Sequence, residues 1–157
     1  ERVLDIAGDH SAIVRSAWLY SAFTGNFVTT MLRLMSTRPE VRVVNDQVGS
    51  PTWAASLADV LLVLADRADL TGVYHWVDAG EASWYDLAAE VRRLGVARGL
   101  VDPDVSLQPI PSSEYPVAAR RPSYSVLDSS ALCRDLGREQ VPWTDQLALM
   151  FDGLGKE

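Results

Sequence analysis

The sequence predicts an α/β fold, in which strands and helices alternate along the chain. Three observations support this prediction. Apolar runs of strand length alternate with segments whose apolar residues recur at helical spacing. Glycine, proline and polar clusters separate the two kinds of segment, and no internal repeat or low-complexity tract interrupts them. A chain of 157 residues, 48% of them hydrophobic, is also long enough to bury a core.

The first third of the chain predicts a strand, a helix and a second strand. Residues 12–20 form a run of β-type residues. Residues 26–35 place their apolar side chains on one helical face, and Asn26 stands where that helix begins. Residues 41–44 are a short apolar strand, and the polar segment 45–51 closes it with a turn.

Two helices with capped starts are predicted in the middle of the chain. Ser56, followed three residues later by Asp59, predicts a capping box for the apolar helix 57–65. Ser83 and Asp86 repeat this pattern before a second, amphipathic helix. Each helix therefore begins at a serine whose hydroxyl is expected to accept a backbone N–H.

The remaining elements complete the alternation. Residues 72–77 have the composition of a strand, and 105–110 form a weaker strand that ends at prolines. Residues 132–136, followed by Gly137, predict a short helix with a glycine C-cap. Apolar residues at helical spacing predict a final amphipathic helix over 143–154.

Composition and charge exclude several classes of protein. A net charge of −7, with Lys156 as the only lysine, argues against nucleic-acid binding, which needs clustered cations. The longest uninterrupted apolar run, 60–65, is far shorter than the ~20 residues that cross a bilayer. Residues 1–5 lack the pattern of a secretory leader, so we expect a cytoplasmic protein that contacts no membrane. The single cysteine, Cys133, is predicted to be a half-buried helix residue.

The sequence shows no self-contained set of catalytic or metal-binding residues. A dinucleotide site needs a glycine-rich turn that leads from a strand into a helix, and none of the glycines stands in that context. Of the two histidines, His10 and His75, the second is predicted to be an ordinary sheet residue. Asp78, Glu81 and Asp86 are predicted to be solvated or helix-capping groups. We therefore expect no catalytic residue, cofactor-binding residue or metal ligand in this chain.

Polar segments at the ends of predicted elements carry a family resemblance. They are residues 15–20 with 25–28, then the turn 45–52, then the segment 118–122. In this order they resemble the C-terminal half of the dTDP-4-dehydrorhamnose reductases, a family of extended short-chain dehydrogenase/reductases. The resemblance runs nearly end to end, and it also includes residues 72–75, 83–86, 114–116, 127–128 and 142–143.

The resemblance implies that residues 1–157 are the substrate-binding half of a reductase. This half would contain the late strands of an NAD(P)-binding Rossmann-like sheet and the small substrate-binding domain, with the N-terminal cofactor-binding part absent. The family reduces dTDP-4-dehydro-L-rhamnose to dTDP-L-rhamnose with NADPH or NADH. Because some relatives depend on a metal, Mg²⁺ is kept as a second cofactor candidate.

The resemblance also implies that this chain is inactive on its own. In the family, a tyrosine from a Tyr-x-x-x-Lys motif protonates the substrate oxygen. This chain has no such motif, because its only lysine, Lys156, lies near the C-terminus. The missing tyrosine and lysine would lie just before Glu1.

The family resemblance assigns substrate-binding roles to residues in the first two polar segments. Trp18 would cover the deoxysugar ring. Asn26 and the backbone N–H groups of Phe27 and Val28 would receive the diphosphate at a helix N-terminus. A core tryptophan and a plain N-cap are the structural alternatives for Trp18 and Asn26.

Further substrate contacts are implied in the second and third segments. The turn would bind the base or ribose of the nucleotide, and Arg121 would bind a phosphate through its planar guanidinium. A structural turn and a surface ion pair are the respective alternatives. The turn residues concerned are Gln47, Gly49, Ser50, Pro51 and Thr52.

Two other functions stay open at the level of sequence. One is a non-catalytic binding module, like the regulatory subunit of methionine adenosyltransferase. The other is a neighbouring sugar-nucleotide epimerase or dehydratase. The resemblance places residues 12–19 and 72–77 in or beside a parallel sheet whose earlier strands are absent here. These strands would have bare edges, so we expect self-association or pairing with the missing N-terminal half.

Overall fold

The computed structural model describes residue 6 and residues 11–23, 25–115 and 121–154. The expectations for Glu1, His10, Lys156 and residues 118–120 fall outside this part. Strands and helices alternate as predicted. The strands are β1 (Ala12–Arg15), β2 (Leu19–Tyr20), β3 (Glu40–Val44), β4 (Val48–Gly49), β5 (Thr52–Trp53), β6 (Gly72–His75), β7 (Ala82–Ser83) and β8 (Ser106–Ile110). The helices are α1 (Phe27–Met35), α2 (Ala54–Ala65), α3 (Trp84–Ala97), α4 (Ser130–Leu136) and α5 (Trp143–Gly153), with a 3₁₀ turn at Ser112–Glu114.

The strands of the described part form four pairs. β1 pairs with β6, β2 with β5 and β3 with β8, all three in parallel. β4 and β7 pair antiparallel. Parallel neighbours require crossover connections, and helices lie within each of these connections. The α/β class predicted from the sequence is confirmed.

Two hydrophobic clusters hold these elements together. The larger one is formed mainly by α1, α3, α5 and β3, and the smaller one joins α2, β6 and α4. Helical spacing in α1 buries Val28, Met31 and Met35 on its inner face. The smaller cluster consists of Val60, Leu64, Trp76 and Leu132.

Several predicted element ends are confirmed by their capping groups. Ser83 and Asp86 form the expected capping box at the start of α3. Gly137 ends α4 in the left-handed conformation, with φ of 61°. Cys133 lies half-buried in α4, as predicted.

The predicted capping box at Ser56 and Asp59 is wrong. α2 begins at Ala54, so both residues lie inside the helix. Ser56 is buried, and its hydroxyl donates to the Asp78 carboxylate at 2.7 Å instead of accepting a backbone N–H. The local pattern failed because the N–H of Trp53, at the start of α2, donates to the distant Asp78 carboxylate and not to a side chain three residues further along.

The strand boundaries differ from the prediction in three places. The run 12–20 is broken into β1 and β2, because Trp18 leaves the extended conformation. The turn 45–51 contains the short strand β4. The strand predicted over 72–77 ends at His75, and the next two residues, Trp76 and Val77, are buried.

Candidate functional site

Trp18 has an unusual backbone between β1 and β2. Its φ is 44°, and it is the only non-glycine residue with positive φ in the described part of the chain. This left-handed conformation costs about 1–2 kcal/mol for a residue with a side chain. It persists only when the surroundings hold it, and the Trp18 carbonyl accepts the Thr52 N–H at 3.2 Å.

The Trp18 indole lies in an aromatic stack against a glycine. Its ring is nearly parallel to the Trp84 ring, with centroids 3.5 Å apart and an interplanar angle of 7°. The Phe27 ring is tilted against Trp84 at 4.8 Å. On Gly49, a Cβ would lie 2.6 Å from Trp18 Nε1, so only glycine permits this approach. Trp18, Phe27 and Gly49, three of the predicted site residues, therefore meet around Trp84.

Arg121 joins the same group. Its guanidinium carbon lies 5.9 Å from the centroid of the Trp84 ring, within the range of a cation–π interaction. The chain just after Arg121 is bonded to β4: the Val48 N–H donates to the Ser123 carbonyl, and the Ser125 N–H donates to the Val48 carbonyl. This pairing holds the exposed Arg121 beside the aromatic stack, and the alternative of a surface ion pair is not seen among the described residues.

The start of α1 lies next to this stack, since Phe27 is its first residue. Asn26 is its N-cap: its Oδ1 accepts the Thr29 N–H at 3.1 Å. Its amide nitrogen donates to the carbonyls of Ser21 and Phe23. The Asn26 side chain therefore makes its hydrogen bonds within the protein. The first-turn N–H groups of a helix have no intrahelical acceptor and carry partial positive charge. The prediction of an N-cap is confirmed, and phosphate binding here stays a prediction.

Most of the turn 47–52 is buried. Gln47 is partly exposed, but Gly49 and the three residues after it are buried. The Ser50 hydroxyl accepts the Leu127 N–H at 3.3 Å, which is a structural role. The Thr52 hydroxyl is buried and has no partner among the described residues. The structure therefore brings Gly49 to the aromatic stack, whereas the roles of Gln47, Ser50, Pro51 and Thr52 stay predictions.

Two residues of this region were missed at the level of sequence. Trp84 was noted only as part of the family resemblance, although it lies between Trp18 and Arg121 in space. The sequence indicated only that Trp84 follows the predicted N-cap Ser83, and it is the first residue of α3. Asp78 was predicted to be a solvated or capping group; it is not solvated, since it is only 1% exposed, and its hydrogen bonds lie at the start of α2.

The electrostatics of Asp78 follow from its burial. Burial raises the pKa of the Asp78 carboxyl, and hydrogen bonds from the Trp53 N–H and the Ser56 hydroxyl oppose this shift. Tyr20 is also buried, and burial, together with the negative charge of Asp78, raises its pKa. Both groups lie next to β5, because Tyr20 pairs with Trp53 and Asp78 accepts the Trp53 N–H.

No group of three or more His, Cys, Asp or Glu residues in the described part could hold a metal ion. In the same part, no helix is long and apolar enough to span a membrane. The helices α1, α2, α3 and α5 follow Asn26, Trp53, Ser83 and Pro142, so none of these four begins at a glycine-rich turn of the kind that holds a dinucleotide.

Comparison with known proteins gives consistent matches. Residues 1–155 match the family described as RmlD substrate binding domain. The chain is 40% identical over 153 residues to a dTDP-4-keto-6-deoxy-D-glucose reductase from Streptomyces niveus, covering 96% of this chain and 50% of that protein. A crystal structure of a dTDP-4-dehydrorhamnose reductase from Clostridium acetobutylicum shows 39% identity and a TM-score of 0.80, with 91% of this chain and 48% of that one covered.

A second solved structure is that of dTDP-4-dehydrorhamnose reductase from Bacillus anthracis in complex with NADP. It has 35% identity and a TM-score of 0.77, over 90% of this chain and 48% of that one. The fold is therefore that of one half of an extended short-chain dehydrogenase/reductase. Within that class, the chain belongs to the RmlD substrate binding domain family. It spans about half the length of the curated relatives it matches.

Proposed function

We propose that this chain is the sugar-nucleotide-binding half of a cytoplasmic dTDP-4-dehydrorhamnose reductase. The complete enzyme would reduce dTDP-4-dehydro-L-rhamnose to dTDP-L-rhamnose with NADPH or NADH. The observation that carries the proposal is the meeting of Trp18, Trp84 and Arg121 at one place. A nucleoside diphosphate sugar needs an aromatic surface and a cationic fork side by side, and these residues supply both.

Each residue of this group has a distinct task in the proposal. The part of the Trp18 indole that Gly49 and Trp84 leave exposed offers an apolar surface to the deoxysugar, whose methyl group suits an aromatic ring better than water. The Arg121 guanidinium can bind a phosphate through two parallel hydrogen bonds. The N-terminus of α1 adds first-turn N–H groups and partial positive charge for the same diphosphate. The chain thereby orients the sugar and excludes water from one of its faces.

The proton donor and the hydride donor belong to the other half of the enzyme in this proposal. The NADP complex of the Bacillus anthracis relative supports a nicotinamide cofactor for the complete protein. Mg²⁺ has no support from the comparisons or from the described residues. The chain by itself is therefore expected to bind the nucleotide weakly and to reduce nothing.

The activity of the full-length protein that contains this sequence tests the proposal. It should oxidise NADPH only when a dTDP-4-keto-6-deoxysugar is present, while this chain alone gives no turnover. The dTDP-4-dehydrorhamnose and dTDP-4-keto-6-deoxyglucose substrates should be compared, because relatives named for each are similar to the chain. Binding of dTDP without oxidation of NADPH by either substrate would favour the non-catalytic module instead.

An open cavity beside β1 and α2 is the place where we expect the other half to pack. A cavity of about 460 Å³ lies between β1, α2 and the loop after α2, with Val14, Leu61, Leu64 and Leu70 in its lining. Leu62 on the same helix is 69% exposed. Because the chain spans half the length of its relatives, we propose that the N-terminal half of the protein covers this surface.

A charge placed in this cavity should destabilise the full-length protein. Leu61→Glu is expected to cost about 2 kcal/mol or more in the free energy of unfolding, because the carboxylate would be buried between the two halves. Leu149→Glu is the control, since Leu149 is exposed on α5 and does not line the cavity. Urea denaturation measures both. Equal effects of the two substitutions, or a monodisperse monomer of this chain alone in light scattering, would count against the proposed pairing.

A further inference from the structure

Asp78 is a buried carboxylate whose two hydrogen bonds reach one short segment of the chain. It lies three residues after β6 and is 1% exposed. Its Oδ2 accepts the Trp53 N–H at 2.8 Å, and its Oδ1 accepts the Ser56 hydroxyl at 2.7 Å. Burying a carboxylate is costly unless hydrogen bonds compensate, so a position of this kind needs a structural or functional reason.

The first reason is the start of α2. The N-cap of this helix is Trp53, whose own side chain makes no capping hydrogen bond. Asp78, from a distant part of the chain, accepts the N–H of Trp53 itself and the hydroxyl of Ser56 in the first turn, and its negative charge lies at the positive end of the helix. Without it, the Trp53 N–H and the Ser56 hydroxyl would lose the acceptor that each has in the interior.

The second reason leads to the functional site. Trp53 and Thr52 form β5, which pairs with β2 directly after Trp18. The Thr52 N–H donates to the Trp18 carbonyl at 3.2 Å, while the next N–H along the chain, that of Trp53, donates to Asp78. Two successive N–H groups of β5 thus connect the buried carboxylate with the strained backbone of Trp18.

We propose that Asp78 is a positioning residue, which fixes β5 and thereby holds Trp18 in its left-handed conformation, stacked on Trp84. Trp18 would otherwise relax toward an ordinary backbone conformation, because its positive φ is unfavourable by itself. A relaxed Trp18 would withdraw its indole from Gly49 and from Trp84. The consequence for binding a dTDP-sugar rests on the proposed function, but the consequence for the stack does not.

Circular dichroism of the full-length protein gives a direct readout of the stack. Two stacked indoles produce an exciton couplet when their transition dipoles are rotated relative to each other about the stacking axis, and Trp18→Phe and Trp84→Phe should each abolish this couplet. Asp78→Ala is expected to reduce this couplet about twofold or more, because the coupling depends on the separation and relative orientation of the rings. Asp78→Asn should keep it, since an amide oxygen can accept the Trp53 N–H and the Ser56 hydroxyl can rotate to accept the amide N–H.

Asp145→Ala is the matched control, because Asp145 is an exposed carboxylate in the first turn of α5. Its couplet should equal that of the unmodified protein. If Asp78→Ala does not fold, Ser56→Ala provides the test. It removes one of the two hydrogen bonds to Asp78 and should weaken the couplet in part. A folded Asp78→Ala or Ser56→Ala variant with a couplet of full strength would overturn the proposal.

Calorimetry with dTDP-L-rhamnose separates this inference from the proposed function. Asp78→Ala should weaken dTDP-L-rhamnose binding along with the couplet, whereas Asp78→Asn and Asp145→Ala should leave both unchanged. Loss of the couplet in Asp78→Ala, together with no dTDP-L-rhamnose binding by the unmodified protein, would support the positioning role and overturn the proposed function alone.

Discussion

Gly49→Ala is expected to displace the Trp18 indole and to lose both stability and nucleotide affinity. The new methyl group would meet the Trp18 ring, with distances of 2.6 Å to Nε1 and 2.7 Å to Cζ2. Because Trp18 is confined between Gly49 and Trp84, the ring cannot yield without breaking the stack. We expect a loss of about 2 kcal/mol in the free energy of unfolding, typical of overpacking. Urea denaturation measures this loss, and calorimetry with dTDP-L-rhamnose should show affinity lowered by about 30-fold for a comparable loss of binding energy.

Gly153→Ala is the control for this substitution. A Cβ on Gly153 meets nothing within 4 Å, and this residue ends the last helix. It should be neutral or slightly stabilising, because alanine restricts the unfolded chain more than glycine does. If Gly49→Ala and Gly153→Ala had the same small effect, the close approach of Trp18 to Gly49 would not exist in solution.

Arg121→Gln is expected to raise the KM of the full-length enzyme for the dTDP-sugar about 10- to 100-fold, because hydrogen bonds to charged groups contribute about 1.5–3 kcal/mol. The kcat should change little, since the phosphate is bound equally in the ground state and the transition state. Arg121→Lys should recover only part of the affinity, because an ammonium group cannot form two parallel bonds. Steady-state kinetics with the dTDP-sugar as the varied substrate measures all three.

The control for Arg121 is Arg93→Gln. Arg93 forms a surface ion pair with Glu90 one turn away on α3, which is the kind of role proposed as the alternative for Arg121. Such pairs contribute little, so KM and stability should both stay close to those of the unmodified protein. If Arg121→Gln changes KM and stability as little as Arg93→Gln does, Arg121 does not bind the substrate.

The helices were predictable from the sequence where the signals are local. The capping box at Ser83 and the left-handed Gly137 depend on residues a few positions apart, and both were found. The start of α2 was missed because its acceptor, Asp78, lies 25 residues from Trp53. A local pattern at Ser56 and Asp59 then offered a plausible but incorrect alternative. Hydrogen bonds between residues so far apart produce no recognisable pattern in the sequence around either residue.

The site was predictable in its parts but not in its arrangement. Family resemblance indicated Trp18, Gly49 and Arg121, and the structure brings all three around Trp84. No sequence pattern indicates that Trp18 adopts a left-handed backbone, because the residue type disfavours it. The burial of Asp78 was equally hidden, since an aspartate between two elements is usually exposed.

The pairing of the strands has a consequence for how the chain reaches this structure. In the three parallel pairs, Ala12 lies beside Gly72, Leu19 beside Thr52 and Glu40 beside Ser106. Each pair therefore closes a loop of tens of residues, and such topologies fold more slowly than helical bundles. During synthesis, β3 cannot find its partner until β8 has left the ribosome. β3 waits longest with unpaired edges, so the nascent chain is most exposed to aggregation before β8 is made.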